Sequence, residues 1–170
     1  MDQYQHALTC FEFVEVGNSK ALDSLHSPED LDCDGKESAI FIRSQPNDGC
    51  FSWLGYKGVK AQPLQLQHPG CTILGVVIHE LGHALGMAHE QARPDRDDYI
   101  TINWDNLKEG AAPQFAVDDG HNDVVVAKTA QYDYLSVMHY NRYAFAKDRK
   151  VPTITTQGGL HDHMIGQRID

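Results

Sequence analysis

Apolar and polar residues alternate along parts of the first half of the chain with the two-residue period that is typical of β-strands. Residues 10–16 show this alternation, residues 39–43 form a short apolar run, and residues 51–55 and 59–67 provide two more candidate strands. Pro63 interrupts the last of these strands. Because proline cannot donate a backbone hydrogen bond, we expect that strand to lie at the edge of its sheet.

The longest apolar run then predicts a helix that ends at about Leu85. Thr72 precedes this run and is a candidate N-cap, since a threonine hydroxyl can accept a hydrogen bond from the first turn. The apolar side chains of the run are expected to be buried, and they are Ile73, Leu74, Val76, Val77, Ile78, Leu81 and Leu85.

The pattern is less regular in the second half of the chain. Residues 99–103 and 153–156 are rich in Ile and Thr and predict two short extended segments. Residues 105–115 favour a short helix, which Pro113 would weaken. The remainder is expected to be loop.

Together these patterns predict a single α+β domain with two lobes. With 170 residues the chain is long enough to bury one sizeable core. We expect an N-terminal lobe, residues 1–86, that holds a mixed sheet and one long helix, and an irregular C-terminal lobe, residues 87–170. At the start of the chain, residues 1–9 are expected to end a helix and residues 17–38 to form a surface loop.

Composition and charge exclude several classes of partner. The chain is 41% hydrophobic and 22% charged, which is ordinary for a soluble protein. We expect no membrane span and no signal peptide, since no apolar stretch approaches about 18 residues and the first residues lack a basic, apolar start. A formal net charge of −10 argues against nucleic acid as the main partner, because phosphate binding needs basic patches.

The strongest chemical signal is the pattern HExxHxxGxxH between His79 and His89. His79 and His83 are four residues apart, so on a helix their imidazoles share one face. A continuing helix would carry His89 about 9 Å past His83 along the axis, and Gly86 is where the helix can end and turn back. Three imidazoles and an open fourth position are typical of a catalytic zinc ion, and Glu80 is the candidate general base.

Two other interpretations of these histidines are weaker. A purely apolar core helix has no use for three histidines and a glutamate, because each buried polar group needs a partner. A structural zinc module would normally fill all four coordination positions with protein ligands, and the presence of Glu80 argues against it. His161 and His163 also have a spacing that a second metal could use, but they are expected to be exposed loop histidines.

A second group of candidate residues follows at Met138 and Tyr140. In combination with the three histidines, the methionine is predicted to form a Met-turn, which places an apolar thioether beneath the imidazoles. The Tyr140 phenol can donate a hydrogen bond to the oxyanion that forms when water attacks a carbonyl, and the alternative is a tyrosine that serves packing only.

Four cysteines bear on the compartment. Cys50 and Cys71 flank two candidate strands, and a bridge between them would close a loop of about 22 residues and contribute about 3 kcal/mol. A bridge would indicate an oxidising compartment. Reduced, buried cysteines remain the alternative, and Cys10 could be free or pair with Cys33.

Over nearly its whole length, the sequence resembles a known family. This family is the astacins, a branch of the metzincin zinc endopeptidases. The glutamate that follows the third histidine distinguishes astacins from other metzincins. The matching segments are HELGHALGMAHE at residues 79–90, RPDRDDY at 93–99, SVMHY at 136–140, GCFSWLG at 49–55, and GC at 70–71.

The resemblance implies a zincin-type catalytic domain that hydrolyses peptide bonds in proteins or peptides with one zinc ion. It implies His79, His83 and His89 as ligands, Tyr140 as a switchable fifth ligand, and a Cys50–Cys71 disulfide. The substrate is expected to lie extended along an edge strand near residues 64–67, and the protein to be monomeric and secreted or extracellular. A catalytically inactive zinc-binding interaction domain remains the alternative.

The sequence also departs from the family pattern at both ends. It is expected to lack the family's N-terminal strand and its C-terminal helix, whose cysteine would bridge to the position of Cys10. The family's buried N-terminus pairs with the residue at the position of Glu90, which is therefore expected to lack that partner. Nearby, Asp95, Arg96 and Asp97 are expected to form a structural ion-pair network rather than catalytic groups.

Overall fold

The computed structural model describes residues 39–59, 61–118 and 130–166. The expected helix end at residues 1–9, the candidate strand at 10–16 and the loop at 17–38 lie outside the described residues, as do Cys10 and Cys33. No helix in the described part has both the length and the apolar character needed to cross a lipid bilayer.

The first half of the described chain contains a three-stranded mixed sheet. Strands β1 (Ala39–Arg43), β2 (Cys50–Ser52) and β3 (Ala61–Leu66) are arranged in the order β1-β3-β2. Strand β1 runs parallel to β3, and β2 runs antiparallel to it. Three of the four strands predicted in the first half are therefore confirmed, although β2 is shorter than expected and begins one residue earlier.

The predicted edge position of the third strand is wrong. Strand β3 is buried along its whole length and has a neighbour on each side. Pro63 pairs with Phe41 of β1, and the last pair with β2 is Ser52 with Leu64. Because β2 ends one position before it would reach Pro63, the missing backbone donor costs no hydrogen bond on that side.

The predicted helix is α1, which spans Leu74–Ala84. Thr72 is not its N-cap: Ile73 occupies that position without any side-chain cap, because the helix begins one residue later than a Thr72 cap would require. The expected burial of the apolar run is also only partly correct. Val76 and Ala84 pack against β3, whereas side chains that point away from the sheet are between 43% and 58% exposed, namely Ile73, Leu74, Ile78 and Leu85.

A disulfide joins the edge of the sheet to the segment before the helix. Cys50 and Cys71 form it, with their Cα atoms 5.6 Å apart. Cys71 is buried in the same cluster as Leu64 and Val76. The bridge therefore holds β2 next to the region that leads into α1.

The second half of the described chain is irregular, as predicted. Strands β4 (Ile100–Ile102) and β5 (Ile154–Thr156) pair antiparallel and confirm two predicted extended segments. The helix predicted at 105–115 is wrong. Two short 3₁₀-helices occupy this region, because Gly110 adopts a positive φ of 77° and Pro113 cannot donate in a helix interior. The 3₁₀-helices of the described chain are Glu90–Ala92, Arg96–Asp98, Trp104–Asn106, Ala112–Phe115 and Gln157–Gly159.

Two separate hydrophobic clusters correspond to these halves. One lies between β3 and α1 and includes Leu64 and Val76. The other packs around the β4–β5 pair and includes Phe115, Tyr132 and Ile165. The candidate site lies where the end of α1 meets the second half of the chain.

Candidate metal centre

Three imidazoles converge on one point at the end of α1. His79 and His83 project from adjacent turns of the helix, and His89 reaches them from the segment beyond it. The Nε2 atoms of His83 and His79 are 3.1 Å apart, those of His83 and His89 3.1 Å, and those of His89 and His79 3.3 Å. The convergence predicted from the spacing is confirmed.

The opposite ring nitrogens of two histidines fix which atoms face the centre. His79 Nδ1 lies 2.8 Å from the carbonyl oxygen of Val137, and His83 Nδ1 lies 2.9 Å from that of Met87. A carbonyl accepts only, so each Nδ1 carries the proton and donates it. Each Nε2 therefore presents a lone pair to the centre, as is usual for a histidine that binds a metal.

This donor set fits a zinc ion. Three nitrogen lone pairs that face one another at such short distances repel unless a cation lies between them. Tetrahedral zinc with Zn–N bonds of about 2.0–2.1 Å places its nitrogen ligands roughly 3.3 Å apart. The observed separations of 3.1–3.3 Å agree with this value.

Gly86 breaks the helix, as the sequence predicts. It has a positive φ of 94°, a conformation that glycine adopts without the steric cost of a Cβ atom. Its N–H donates to the carbonyl of His83 at 2.9 Å, and the N–H of Met87 donates to the carbonyl of Gly82 at 2.9 Å. This turn closes the helix and lets His89 return to the other two histidines.

Glu80 is buried on the helix that carries two of the three candidate metal ligands. Its side chain follows His79 on α1, and the residue is only 4% exposed. Burial of a carboxylate is costly unless charge or hydrogen bonds compensate for it. A cation held by the three neighbouring histidines would provide such compensation.

Met138 forms the floor of the site. It is 1% exposed and packs so closely on α1 that a Cβ atom at Gly82 would lie 2.7 Å from the Met138 sulfur. The turn that carries it is stabilised by hydrogen bonds from the N–H groups of Met138 and His139 to Ser136. A side chain at position 82 would force the Met138 thioether to shift, and no pattern in the sequence had indicated this close approach.

Tyr140 contacts the third histidine. Its ring centroid is 4.5 Å from that of His89, and it packs against Phe115 and Phe145 on its other sides. Its backbone N–H donates to Gln91 Oε1 at 2.9 Å. Gln91 is fully buried, and no sequence motif had singled it out.

His139, between Met138 and Tyr140, is also fully buried. Its Nδ1 donates to the carbonyl of Tyr140 at 2.7 Å, and its Nε2 accepts from the Tyr132 hydroxyl at 2.8 Å. Burial lowers the pKa of His139 and raises the pKa of Tyr132, so both groups are neutral at pH 7. No sequence pattern predicts this pair, since the two residues are seven positions apart in loop.

An ion-pair network supports the segment after His89. Glu90 Oε1 accepts from Arg93 Nη1 at 3.0 Å and from the N–H of Asp133 at 2.9 Å. Arg93 also binds both oxygens of Asp95 at 2.9 and 2.8 Å, and its hydrogen bonds hold the pKa of the Asp95 carboxyl below its usual value. Glu90 thus has an ion-pair partner within the chain itself.

The predicted network of Asp95, Arg96 and Asp97 is confirmed in part. Arg96 pairs with Asp97 at 3.0 Å, but Asp95 pairs with Arg93 instead. Away from this region, His161 stacks on Tyr134 at 4.6 Å and contacts Met164. In the described part of the chain, His79, His83 and His89 form the one group of three or more potential ligands close enough to share an ion, so the described residues show no second metal cluster at His161 and His163.

This arrangement suits hydrolysis. Three neutral nitrogen ligands can hold a divalent cation, a buried carboxylate can move a proton, and a phenol beside the third ligand can donate a hydrogen bond. These are the elements that metal-assisted hydrolysis of a carbonyl compound requires.

Comparisons with known proteins agree with this chemistry. The model of the astacin peptidase family matches residues 1–170. Zinc metalloproteinase nas-4 of Caenorhabditis elegans is 36% identical over 99% of this chain, which covers 46% of that protein. High choriolytic enzyme 2 of Oryzias latipes is 45% identical over 62% of this chain, and the match covers 36% of that protein.

A solved structure of a zinc-protease is also similar to this chain. High choriolytic enzyme 1, a hatching enzyme zinc-protease from the medaka fish Oryzias latipes, superposes with a TM-score of 0.70 at 39% identity. The match covers 79% of this chain and 62% of that one. This chain therefore spans less than half the length of the two curated relatives, and somewhat more of the solved structure.

Proposed function

Because this chain belongs to the astacin family of metzincin peptidases, we propose that it is the catalytic domain of a zinc-dependent endopeptidase. The observation that carries this proposal is the convergence of three histidine Nε2 atoms, together with the burial of Glu80 on the helix that bears two of these histidines. A binding-only domain would gain nothing from burying Glu80 next to the ligands, since burial of a carboxylate is costly.

The metal of this site is one zinc ion, held by His79, His83 and His89. Tyr140, which packs on His89, is the candidate for a further ligand. When bound, zinc would act as a Lewis acid toward the substrate carbonyl and toward water. The remaining steps depend on side chains of the chain itself.

Glu80 is the proposed general base. It takes a proton from the water that attacks the peptide carbonyl and then delivers this proton to the leaving amine. The Tyr140 phenol donates a hydrogen bond to the carbonyl oxygen as that oxygen becomes negative. Both groups lie on elements that hydrogen bonds hold in place, α1 and the turn that follows Met138.

The substrate is a protein or peptide, and we propose that it binds extended along β2. Residues 64–67, where the sequence predicts it to lie, cannot accept another strand, because Leu64 pairs with both Ile42 and Ser52. Strand β2 forms an edge of the described sheet. The segment after it is fixed to the ligand-bearing helix, since the Gly55 N–H donates to the carbonyl of His83 at 2.8 Å.

We further propose a single domain with lobes at residues 1–86 and 87–170, which is supported by the two separate hydrophobic clusters. We propose that it acts as a monomer, because one chain supplies all the candidate site residues. The Cys50–Cys71 disulfide supports a secreted or extracellular location, since disulfides persist in oxidising compartments.

Replacement of the proposed base tests the assignment. Glu80→Gln keeps the shape of the side chain and removes its basicity, so we expect zinc binding to be unchanged and cleavage of a quenched peptide to fall by about 10²-fold or more. Zinc content is measured by elemental analysis and cleavage by fluorescence. Glu109→Gln, which changes an exposed glutamate in the second half, is the matched control and should retain full activity.

The outcomes separate the possible functions. Undiminished turnover in Glu80→Gln would show that another group is the base. Stoichiometric zinc without any cleavage by the wild-type protein would instead favour the catalytically inactive zinc-binding domain.

A further inference from the structure

Two hydrogen bonds join the segment that follows the third histidine to the turn that carries Met138 and Tyr140. The Glu90 N–H donates to the carbonyl of Met138 at 3.2 Å. The Tyr140 N–H donates to Gln91 Oε1 at 2.9 Å. The second bond is made by a side chain and can therefore be removed by substitution.

Gln91 is itself held rigidly. Its backbone carbonyl accepts a hydrogen bond from Arg96 Nη1 at 3.1 Å, and the same guanidinium nitrogen donates to the carbonyl of Phe115. Arg96 is buried and also lies over the ring of Trp104. The amide that accepts from Tyr140 is thus anchored to the core of the second half of the chain.

Within the described part of the chain, the Gln91 amide uses only its oxygen, and not its nitrogen, in a hydrogen bond. Among the described residues, no protein atom accepts a hydrogen bond from its buried Nε2. An unpaired buried donor is destabilising, and an apolar side chain of the same size would only exchange the unpaired Gln91 Nε2 for an unpaired Tyr140 N–H, so stability alone does not favour glutamine at this position. The single hydrogen bond that the amide makes to another residue is the one that fixes Tyr140.

We propose that Gln91 is a positioning residue that holds the backbone of Tyr140 so that its phenol reaches the reacting carbonyl oxygen. This inference rests on the proposed peptidase function. Gln91 touches neither substrate nor metal in this mechanism and acts through Tyr140. Small displacements of a catalytic group are costly, since a shift of about 1 Å can reduce a rate by roughly 10²-fold.

The test is a double-substitution cycle. Gln91→Met keeps the volume of the side chain and removes the acceptor, so kcat is expected to fall about tenfold with KM and zinc content unchanged. Tyr140→Phe removes the phenol. In the Tyr140→Phe background, Gln91→Met should then lower kcat no further, because the group that it positions is already absent.

A readout that does not depend on activity accompanies the cycle. Hydrogen exchange at the Tyr140 amide should be faster in Gln91→Met than in the wild type, with exchange in α1 unchanged. The melting temperature should change little, because the substitution exchanges one unpaired donor for another. Gln114→Met, an exposed glutamine in the described chain, is the control and should change neither quantity.

The possible results distinguish a failure of the positioning role from a failure of the proposed function. Equal losses of kcat in the wild-type and Tyr140→Phe backgrounds, or unchanged exchange at Tyr140, would overturn the positioning role while the peptidase assignment stands. Absence of cleavage by the wild type would instead overturn the proposed function. If Gln91→Met does not fold, Gln91→Leu, which is also apolar and removes the acceptor, takes its place in the same cycle, and equal losses of kcat in the two backgrounds would overturn the role.

Discussion

At the scale of single residues, the two ring nitrogens of a histidine have different roles. In His79 and His83 the Nδ1 proton is donated to a backbone carbonyl, which makes Nε2 the candidate ligand atom. The same principle extends to His139, whose Nδ1 and Nε2 are both used in hydrogen bonds inside the fold. The neighbouring hydrogen bonds therefore determine which histidines can bind metal.

A residue-scale prediction concerns Asp95. Its folded-state pKa lies below the ordinary value of 3.8 because of Arg93, so its contribution to stability is present above pH 3.8 and is lost as the pH falls through the lowered value. Since this side chain is 41% exposed, Asp95→Asn should destabilise the protein by only about 0.5–1 kcal/mol at pH 7.

Melting temperatures at several pH values provide the measurement. The difference between the wild type and Asp95→Asn should shrink as the pH falls below about 4. Asp105→Asn, which neutralises an exposed carboxylate elsewhere, is the control. A difference that grows toward low pH would contradict the assigned direction of the shift.

At the scale of elements, local patterns predicted which segments are regular better than they predicted where those segments lie. The sequence predicts most of the ends of β1, β3 and α1 to within one or two residues, because the hydrophobic period and the placement of glycine are local properties. It wrongly predicts that β3 lies at the edge of the sheet, because the strand order depends on contacts between distant segments. It also predicts one helix at 105–115, where the backbone turns at Gly110.

An element-scale prediction concerns the bridge between β2 and the segment before α1. Replacement of both Cys50 and Cys71 by alanine opens a loop of 21 residues. The chain-entropy estimate for such a loop is about 3 kcal/mol, so the free energy of unfolding should fall by roughly that amount.

Urea denaturation of the wild type and the double variant measures this difference. Substitution is preferable to a reducing agent, because it changes only these two residues. At temperatures where the variant is folded, the zinc content should be unchanged, since neither cysteine is a candidate metal ligand. A loss well below about 1 kcal/mol would show that the bridge does not constrain the unfolded chain as proposed.

At the scale of the whole molecule, the candidate site joins the two halves of the chain. The His79 ring binds the carbonyl of Val137, which is 58 residues away in sequence, and Met138 packs on Gly82. The two hydrophobic clusters are otherwise distinct. A metal at this position would therefore stabilise the junction as well as support the chemistry.

The corresponding prediction is that removal of zinc lowers stability. A ligand that binds only the folded state stabilises it by about 2.7 kcal/mol when its free concentration is 100 times its Kd. For a chain of this size the melting temperature should fall by roughly 5–10 °C on chelation. Scanning calorimetry should show recovery with zinc and no recovery with magnesium, which disfavours nitrogen ligands. An unchanged melting temperature after confirmed metal removal would contradict this prediction.

Local sequence was sufficient to identify the candidate ligands, the candidate base and the helix break. His79, Glu80, His83, Gly86 and His89 lie within eleven residues, and over so short a distance the geometry of the helix and one glycine fixes how they can meet. For Cys50 and Cys71, the resemblance to a known family named the pair that the structure then confirmed.

The surroundings of these groups, in contrast, follow from the folded arrangement. The central position of β3, the close approach of Met138 to position 82, and the hydrogen bonds that Gln91 and His139 make to Tyr140 depend on segments that are distant in sequence or lie in irregular loop. No period or spacing along the chain encodes such contacts. They exist because the fold brings distant segments into contact, as where Met138 packs on Gly82 and the Tyr140 N–H donates to Gln91.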